Sequence, residues 1–208
     1  MGEIYVKFSP IASNDIVRSI EANGGEAETS GMLDFFLYGL LDSHFQWKHL
    51  DGTFSDNLKD TFGRYLLEWY RRPLEKAGKI SKRVHEITNI TRLAKRAARF
   101  LSRQPRRRRM VLTADMTDLL HHGCRGIICL QPFGCLPNHI TGEGMIHKLH
   151  IAYPEAVFLP LDCDASASEA NQENRLKLMM NSLTEKETHE KTLPFIRNTI
   201  SARKGKVL

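Results

Sequence analysis

The amino-acid sequence predicts an α/β domain, a three-layer arrangement with a mostly parallel sheet and one helical insertion. Three observations predict it. Apolar segments of strand length occur near both ends of the chain, helical patterns separate them, and a wholly helical stretch near residues 51–104 interrupts the alternation. With 208 residues, 41% of them apolar and 26% charged, the chain can bury one large core as a single domain over 1–208 without disulfide staples. No apolar run approaches the roughly 20 residues that a membrane span needs. Nor does a charged segment lead into an apolar one at the start. A cytoplasmic protein with no membrane partner is therefore expected.

Ile4, Val6 and Phe8 alternate with polar neighbours and predict a first strand before Ser9-Pro10. Asn14 is placed to cap a helix that carries Ile16, Val17 and Ile20 and stops at Asn23-Gly24-Gly25. A short strand near Ala27 to Thr29 follows, and the apolar stretch Met32 to Leu41 reads as a buried helix. In the insertion, Leu58, Phe62, Leu66 and Trp69 recur at helical spacing up to Pro73. A polar connection over Lys76 to Arg83 leads to a second helix with Ile87, Ile90, Ala94, Ala97 and Leu101 on one stripe. These helices are expected to cover an edge or face of the sheet.

The alternation then resumes, with a helix over Met116 to His121 and a strand over Gly126 to Phe133. A helix over Gly144 to His150 and a strand over Ala156 to Leu161 follow. Ser166-Ala167-Ser168-Glu169 fits a capping box, in which hydroxyl and carboxylate satisfy the first free backbone donors of a long helix. Residues 201–208 read as a loose tail.

The most informative segment is Gln131-Pro132-Phe133-Gly134-Cys135-Leu136-Pro137-Asn138-His139-Ile140, where an apolar strand passes through a loop into a helix. Ligands of open α/β sheets gather at that point. A thiol at a helix start meets N–H groups that favour the thiolate, the form that binds iron or attacks an electrophile. Cys124, Cys129 and Cys163 complete the cysteines, with no CxxC pair, and all four read as reduced thiols or ligands. Packing explains Cys124 and Cys129 better than chemistry does. Adjacent His121 and His122 read as exposed, and Gly142 and Gly144 make only a weak phosphate signal.

Four stretches carry a resemblance: Gly2-Glu3-Ile4-Tyr5-Val6-Lys7-Phe8-Ser9-Pro10, Gly31-Met32-Leu33-Asp34-Phe35-Phe36-Leu37-Tyr38, Gln131 to Ile140, and Asp162 to Arg175. Together they resemble the C-terminal part of the 2-hydroxyacyl-CoA dehydratase superfamily, in particular the proteins described as acyl-CoA dehydratase activase-related. The resemblance implies a flavodoxin-like build, cysteine-bound iron–sulfur clusters and low-potential electron transfer driven by an ATP-hydrolysing activase. It implies Cys135 as a metal ligand. Asn138 and His139 lie beside it as candidate substrate-binding residues, and acyl-CoA is a candidate substrate. A cluster takes several thiolates, so an upstream domain or a partner subunit would complete it, with Cys163 the best internal addition. A homodimer is compatible with this reading, and the chain looks like a detached C-terminal domain of a larger architecture.

The run Arg103, Arg106, Arg107, Arg108 and Arg109 sits within the net charge of +6. A solvated surface is its leading reading, ahead of a docking site for coenzyme A phosphates. Nucleic acid is the least favoured partner, because no stacking aromatics interleave the run. Neither a Walker-type loop nor a Gly-x-Ser-x-Gly elbow occurs. The rival functions are an interaction domain that has lost the cluster and a basic nucleic-acid-binding module.

Overall fold

The computed structural model describes residues 2, 4–80, 88–100, 111–164 and 166–204 and, of 42, 45, 49 and 189–204, the backbone alone. Its centre is a parallel pair of strands. β1 (Gly126–Pro132) and β2 (Val157–Cys163) run in register from Gly126↔Val157 to Pro132↔Cys163. Parallel strands need a crossover. Here it is α7 (Leu136–Thr141), a 3-10 turn (Glu143–Met145) and α8 (Ile146–Ala152). The run Ile127-Ile128-Cys129-Leu130 is apolar throughout because both faces of the pair are covered. Ile127 packs with α8 and with α6 (Val111–His121), through Met116, Leu119, Leu120 and Leu149. Leu130, Leu159 and Leu161 pack on the other face against Leu176 and Met179 of α9 (Glu169–Lys204). That face also receives Val6 of α1 (Ile4–Lys7) and Ile16 of α2 (Ile16–Ala22).

A second core joins α3 (Met32–His49), α5 (Ile90–Ala97) and α6 through Leu37, Tyr38, Leu41, Ile90, Leu93, Ala97 and Ala114. It includes the predicted Ile90, Ala94 and Ala97 stripe, whereas Ile87 and Leu101 lie outside the described residues. Among the described residues no helix is long and apolar enough to cross a membrane. The mixed α/β class and the parallel pairing stand, with two strands in the sheet among the described residues.

Several expectations are corrected. Ile4 to Phe8 is not a strand. Its residues form α1, and the contact with the sheet is an isolated parallel bridge, Gly2↔Leu130. The helix turns Lys7 inward as well as Val6, which an alternating strand would not do. The predicted strand near Ala27 to Thr29 is a stretch without regular structure. Asn14 does not cap α2. It takes a left-handed conformation (φ 51°), and its amide donates to Gln172 Oε1 at 2.9 Å. At the start of α9 the capping hydroxyl is that of Ser168, which accepts from Asn171 N–H at 3.4 Å, while Ser166 donates to Asp164 Oδ2 at 2.5 Å. In the predicted tail, residues 201–204 continue α9, and 205–208 lie outside the described residues.

The helix expected to end near Pro73 instead runs through it as α4 (Phe54–Ile80), taking up the first part of the predicted Lys76 to Arg83 connection. Arg71 and Gly78 are buried on either side of the proline, so packing holds the helix across the missing N–H. Apart from Leu67, which packs against the second core, the inward face of α4 is mainly polar. Arg71 Nη1 donates to Asp34 Oδ1 at 2.7 Å and Nη2 to the Thr88 carbonyl at 3.0 Å, while Asn57 accompanies it in the interior. The predicted stripe of Leu58, Phe62, Leu66 and Trp69 faces outward, away from the sheet.

Inside the fold, Lys7 donates to Ser30 Oγ at 2.6 Å and lies 4.0 Å from Asp115 Oδ2, both charged side chains being 4% exposed. Burial pushes the Asp115 carboxyl up to about 6, and the Lys7 cation pulls in the opposite direction. The folded state therefore holds this proton more tightly than the unfolded chain does. The resulting stabilisation is complete below the ordinary aspartate value of 3.8 and is lost as pH rises through about 6. Asp115→Asn removes this term. We expect the difference in unfolding free energy between the two proteins to change by about 3 kcal/mol between pH 3.8 and neutrality, with wild type losing ground as pH rises, measured by urea denaturation at a series of pH values.

Candidate functional site

The strand register builds the candidate site. Gln131 and Asp162 are partners near the C-terminal ends of β1 and β2. The buried Gln131 carboxamide donates through Nε2 to Asp162 Oδ1 at 2.8 Å and to Glu143 Oε2 at 3.3 Å. The same Glu143 oxygen lies 3.1 Å from His139 Nδ1. Four side chains from two strands, a short helix and a 3-10 turn thus form one line, from Asp162 in the sheet to His139 at the surface. The His139 hydrogen bond, and after it that of Gln131, holds the Glu143 carboxyl below its ordinary range. Glu143 is then an acceptor, so the His139 proton sits on Nδ1 and Nε2 is left for an external group.

Between strand and helix the chain reverses through Pro132-Phe133-Gly134-Cys135, closed by the Cys135 N–H donating to the Pro132 carbonyl at 3.1 Å. Gly134 takes φ 71° there, a conformation that glycine adopts at little cost. Nothing crowds its Cα, so the requirement is conformational, not spatial. Cys135 caps α7 in extended geometry, and its carbonyl accepts from the His139 N–H at 3.1 Å. With six residues, α7 carries only a weak dipole toward the thiol. Cys135 is half-buried, and Phe133, Leu136 and Ile140 around it in the chain are exposed.

The other cysteines differ. Cys163, also half-buried, ends β2 opposite Pro132, so both it and Cys135 belong to the C-terminal edge of the pair. Burial raises its thiol, and the Asp162 charge adds to the effect. Cys129 lies inside the core, where burial pushes its thiol up to about 11. Cys124 is part-buried and donates to the Gly126 carbonyl at 3.3 Å. The packing explanation of these last two agrees with their positions. His121 is exposed as expected, whereas His122 is half-buried and its Nδ1 lies 2.9 Å from the Asp118 carbonyl oxygen.

The two candidate substrate-binding residues separate. His139 is exposed, with 39% of its side chain accessible. Asn138 is wholly buried, and neither of its side-chain polar atoms has a hydrogen-bond partner, nor does Gln131 Oε1. Gly142 closes over this interior: a Cβ there would lie 2.5 Å from the Asn138 carbonyl oxygen and 2.9 Å from the Cys129 sulfur. No motif that the sequence displays marks Gln131, Glu143 and Asp162 as site residues. A helical i,i+4 spacing links His139 to Glu143, but the joining of Gln131 to Asp162 depends on the strand register.

A cavity of about 830 Å³ lies elsewhere, against the first half of β1, lined by Ile16, Ile20, Cys124, Ile128, Met180 and Leu183 among others. Neither Cys135 nor His139 reaches it. The arginine run Arg103 to Arg109 lies outside the described residues.

Comparison with family models, with curated proteins and with solved structures finds no match. The site is therefore read from its own chemistry. That chemistry offers a half-exposed thiol, a second thiol on the same sheet edge, and an oriented imidazole. Among the described residues no three His, Cys, Asp or Glu side chains converge to hold a metal ion. The donor set fits a metal centre only if further ligands come from outside these residues.

Replacing His139 by Ala removes the leading cause of the Glu143 shift. We expect the Glu143 carboxyl to titrate nearer its ordinary range in His139→Ala, and in Gln131→Ala by a smaller step, read by carbon-detected NMR of the side-chain carboxyl. An unchanged titration in His139→Ala would show that the histidine and the carboxylate do not interact in solution.

Proposed function

We propose that the chain is the C-terminal α/β domain of an activase-related, 2-hydroxyacyl-CoA dehydratase-like redox protein, and that Cys135 supplies one ligand to an iron–sulfur cluster. In this reading β1 and β2 are the inner strands of a wider flavodoxin-like, three-layer sheet. An upstream domain or a partner subunit provides the remaining ligands, and an ATP-hydrolysing activase supplies the electrons. The observation that carries the reading is the placement of Cys135, half-exposed at the C-terminal end of β1 with exposed apolar neighbours. A shared metal needs a thiol that a second protein surface can approach.

When bound, the cluster would supply one-electron chemistry at low potential. This chain's own residues would do the rest. Gly134 sets the turn that presents Cys135, and Glu143 orients His139 so that its second ring nitrogen can accept from a bound acyl-CoA when the ring is neutral, or donate to a cluster sulfur when it is an imidazolium. Gln131 ties that pair to the sheet, which keeps the imidazole from turning away as charge changes nearby. The second reading is an interaction domain without a cluster, and the outward apolar face of α4 favours it.

Anaerobic reconstitution with iron and sulfide tests the proposal on the full chain. We expect wild type to take up iron and acid-labile sulfide with visible absorption, and Cys135→Ala to lose most of both, while Cys129→Ala retains them. Equal uptake by wild type and Cys135→Ala, or no uptake by wild type, rejects cluster ligation by this chain on its own; ligation within a longer architecture is then tested by the same substitution in that protein.

A further inference from the structure

The longest fully described helix is amphipathic with its faces reversed. Phe54, Leu58, Phe62, Tyr65, Leu66 and Trp69 occupy one side of α4, each between 44% and 70% exposed. The opposite side carries Asn57, Arg64, Glu68 and Arg71 into the protein, where Arg71 is satisfied by Asp34 and the Thr88 carbonyl. The reversal is specified, because the buried guanidinium holds the Asp34 carboxylate and the Thr88 carbonyl, which the apolar side could not replace. A surface helix with its aromatic face in water costs solvation that a free monomer has no means to recover.

We propose that this face is the interface of a homodimer in which two copies pack their α4 helices antiparallel across a two-fold axis. Three properties of the surface fit a second copy. The first is area: six side chains at these exposures present about 700 Å² per copy, close to the roughly 800 Å² per partner of a standard stable interface. The second is charge: Asp51, Asp56 and Asp60 outnumber Lys59 at the N-terminal end of α4, and Arg72, Lys76 and Lys79 outnumber Glu75 in its last turns. An antiparallel pair sets the acidic end of each copy against the basic end of the other, and a parallel pair would oppose like charges.

The third property is form. α3 and α4 are joined by four residues and make an antiparallel hairpin, with Asp34 beside Arg71 at one end and His44 Nδ1 3.2 Å from Asn57 Oδ1 near the other. At the tip the rings of Trp47 and Phe54 meet edge to face with centroids 5.6 Å apart. Two such hairpins related by a two-fold axis form a four-helix core with a self-complementary interface. The proposal does not involve Cys135 and stands apart from the cluster reading.

Sedimentation of the full chain tests it. Wild type should sediment at twice the 23.8 kDa chain mass, and Phe62→Glu at the single mass with an unchanged circular dichroism spectrum. Phe62 lies near the middle of the stripe, so Phe62→Cys should form a disulfide-linked dimer under mild oxidation beyond any background seen with wild type. This readout holds even if the glutamate variant fails to fold. The Cys135→Ala protein should remain dimeric. A monomeric wild type overturns the proposal, and one destabilised by Phe62→Glu would show a segment of the same chain covering α4. A dimer that survives Phe62→Glu without Phe62→Cys cross-linking would place the contact elsewhere and equally overturns it.

Discussion

The parallel register between β1 and β2 ties the polar groups of the candidate site to the sheet. It sets Gln131 opposite Asp162 and Pro132 opposite Cys163, so one buried carboxamide reaches both carboxylates and two cysteines share a sheet edge. A slip by one residue would turn Gln131 to the opposite face and bring an apolar side chain in its place. The apolar run Ile127 to Leu130, packed on both sides, opposes such a slip, because Ile127 and Leu130 serve different cores. Hydrophobic packing thus decides the geometry of a polar site to which it contributes no atoms.

Buried charge plays the corresponding role in the helical part of the protein. Arg71 and Asp34 join α4 to α3, while Lys7, Ser30 and Asp115 join α1 to α6. Burial raises Asp34 and Asp115 alike, and the facing cations offset only part of that effect. Buried pairs of this kind add little net stability, but losing one partner is costly because the other remains without a counter-charge. They act by specifying which face of each helix turns inward.

Much of this architecture is legible in the sequence, and the illegible parts share a cause. The β1 and β2 segments follow from apolar runs of the right length bounded by turn residues, and the start of α9 from the hydroxyl and carboxylate residues at its N-terminus. Cys135 and His139 stand out because they sit where a strand gives way to a helix. By contrast, Ile4 to Phe8 is too short for its periodicity to decide, and the burial of Lys7 depends on Asp115, a residue 108 positions along the chain. Helical spacing shows that Leu58, Phe62, Leu66 and Trp69 share a side of α4, but it cannot say whether that side faces the core. Arg71 answers that question through Asp34 and Thr88. Similarly, His139 and Glu143 are linked by local spacing, whereas their connection to Asp162 exists only through pairing between strands.

The junction before α2 has a consequence for how the molecule assembles. Asn14 and Asp15 both take φ 51°, a left-handed conformation that asparagine and aspartate tolerate better than other non-glycine residues but that still disfavours any residue with a Cβ. What holds Asn14 there is Gln172, 158 residues away, which also donates to the Asp162 carbonyl at 2.8 Å. The α3–α4 hairpin closes over a few residues, but this latch must wait until α9 has docked on the sheet, since long-range contacts meet their loop-closure cost before they return anything. Closing the helical hairpin therefore carries a small loop-closure cost, and anchoring strand β2 through Gln172 a much larger one.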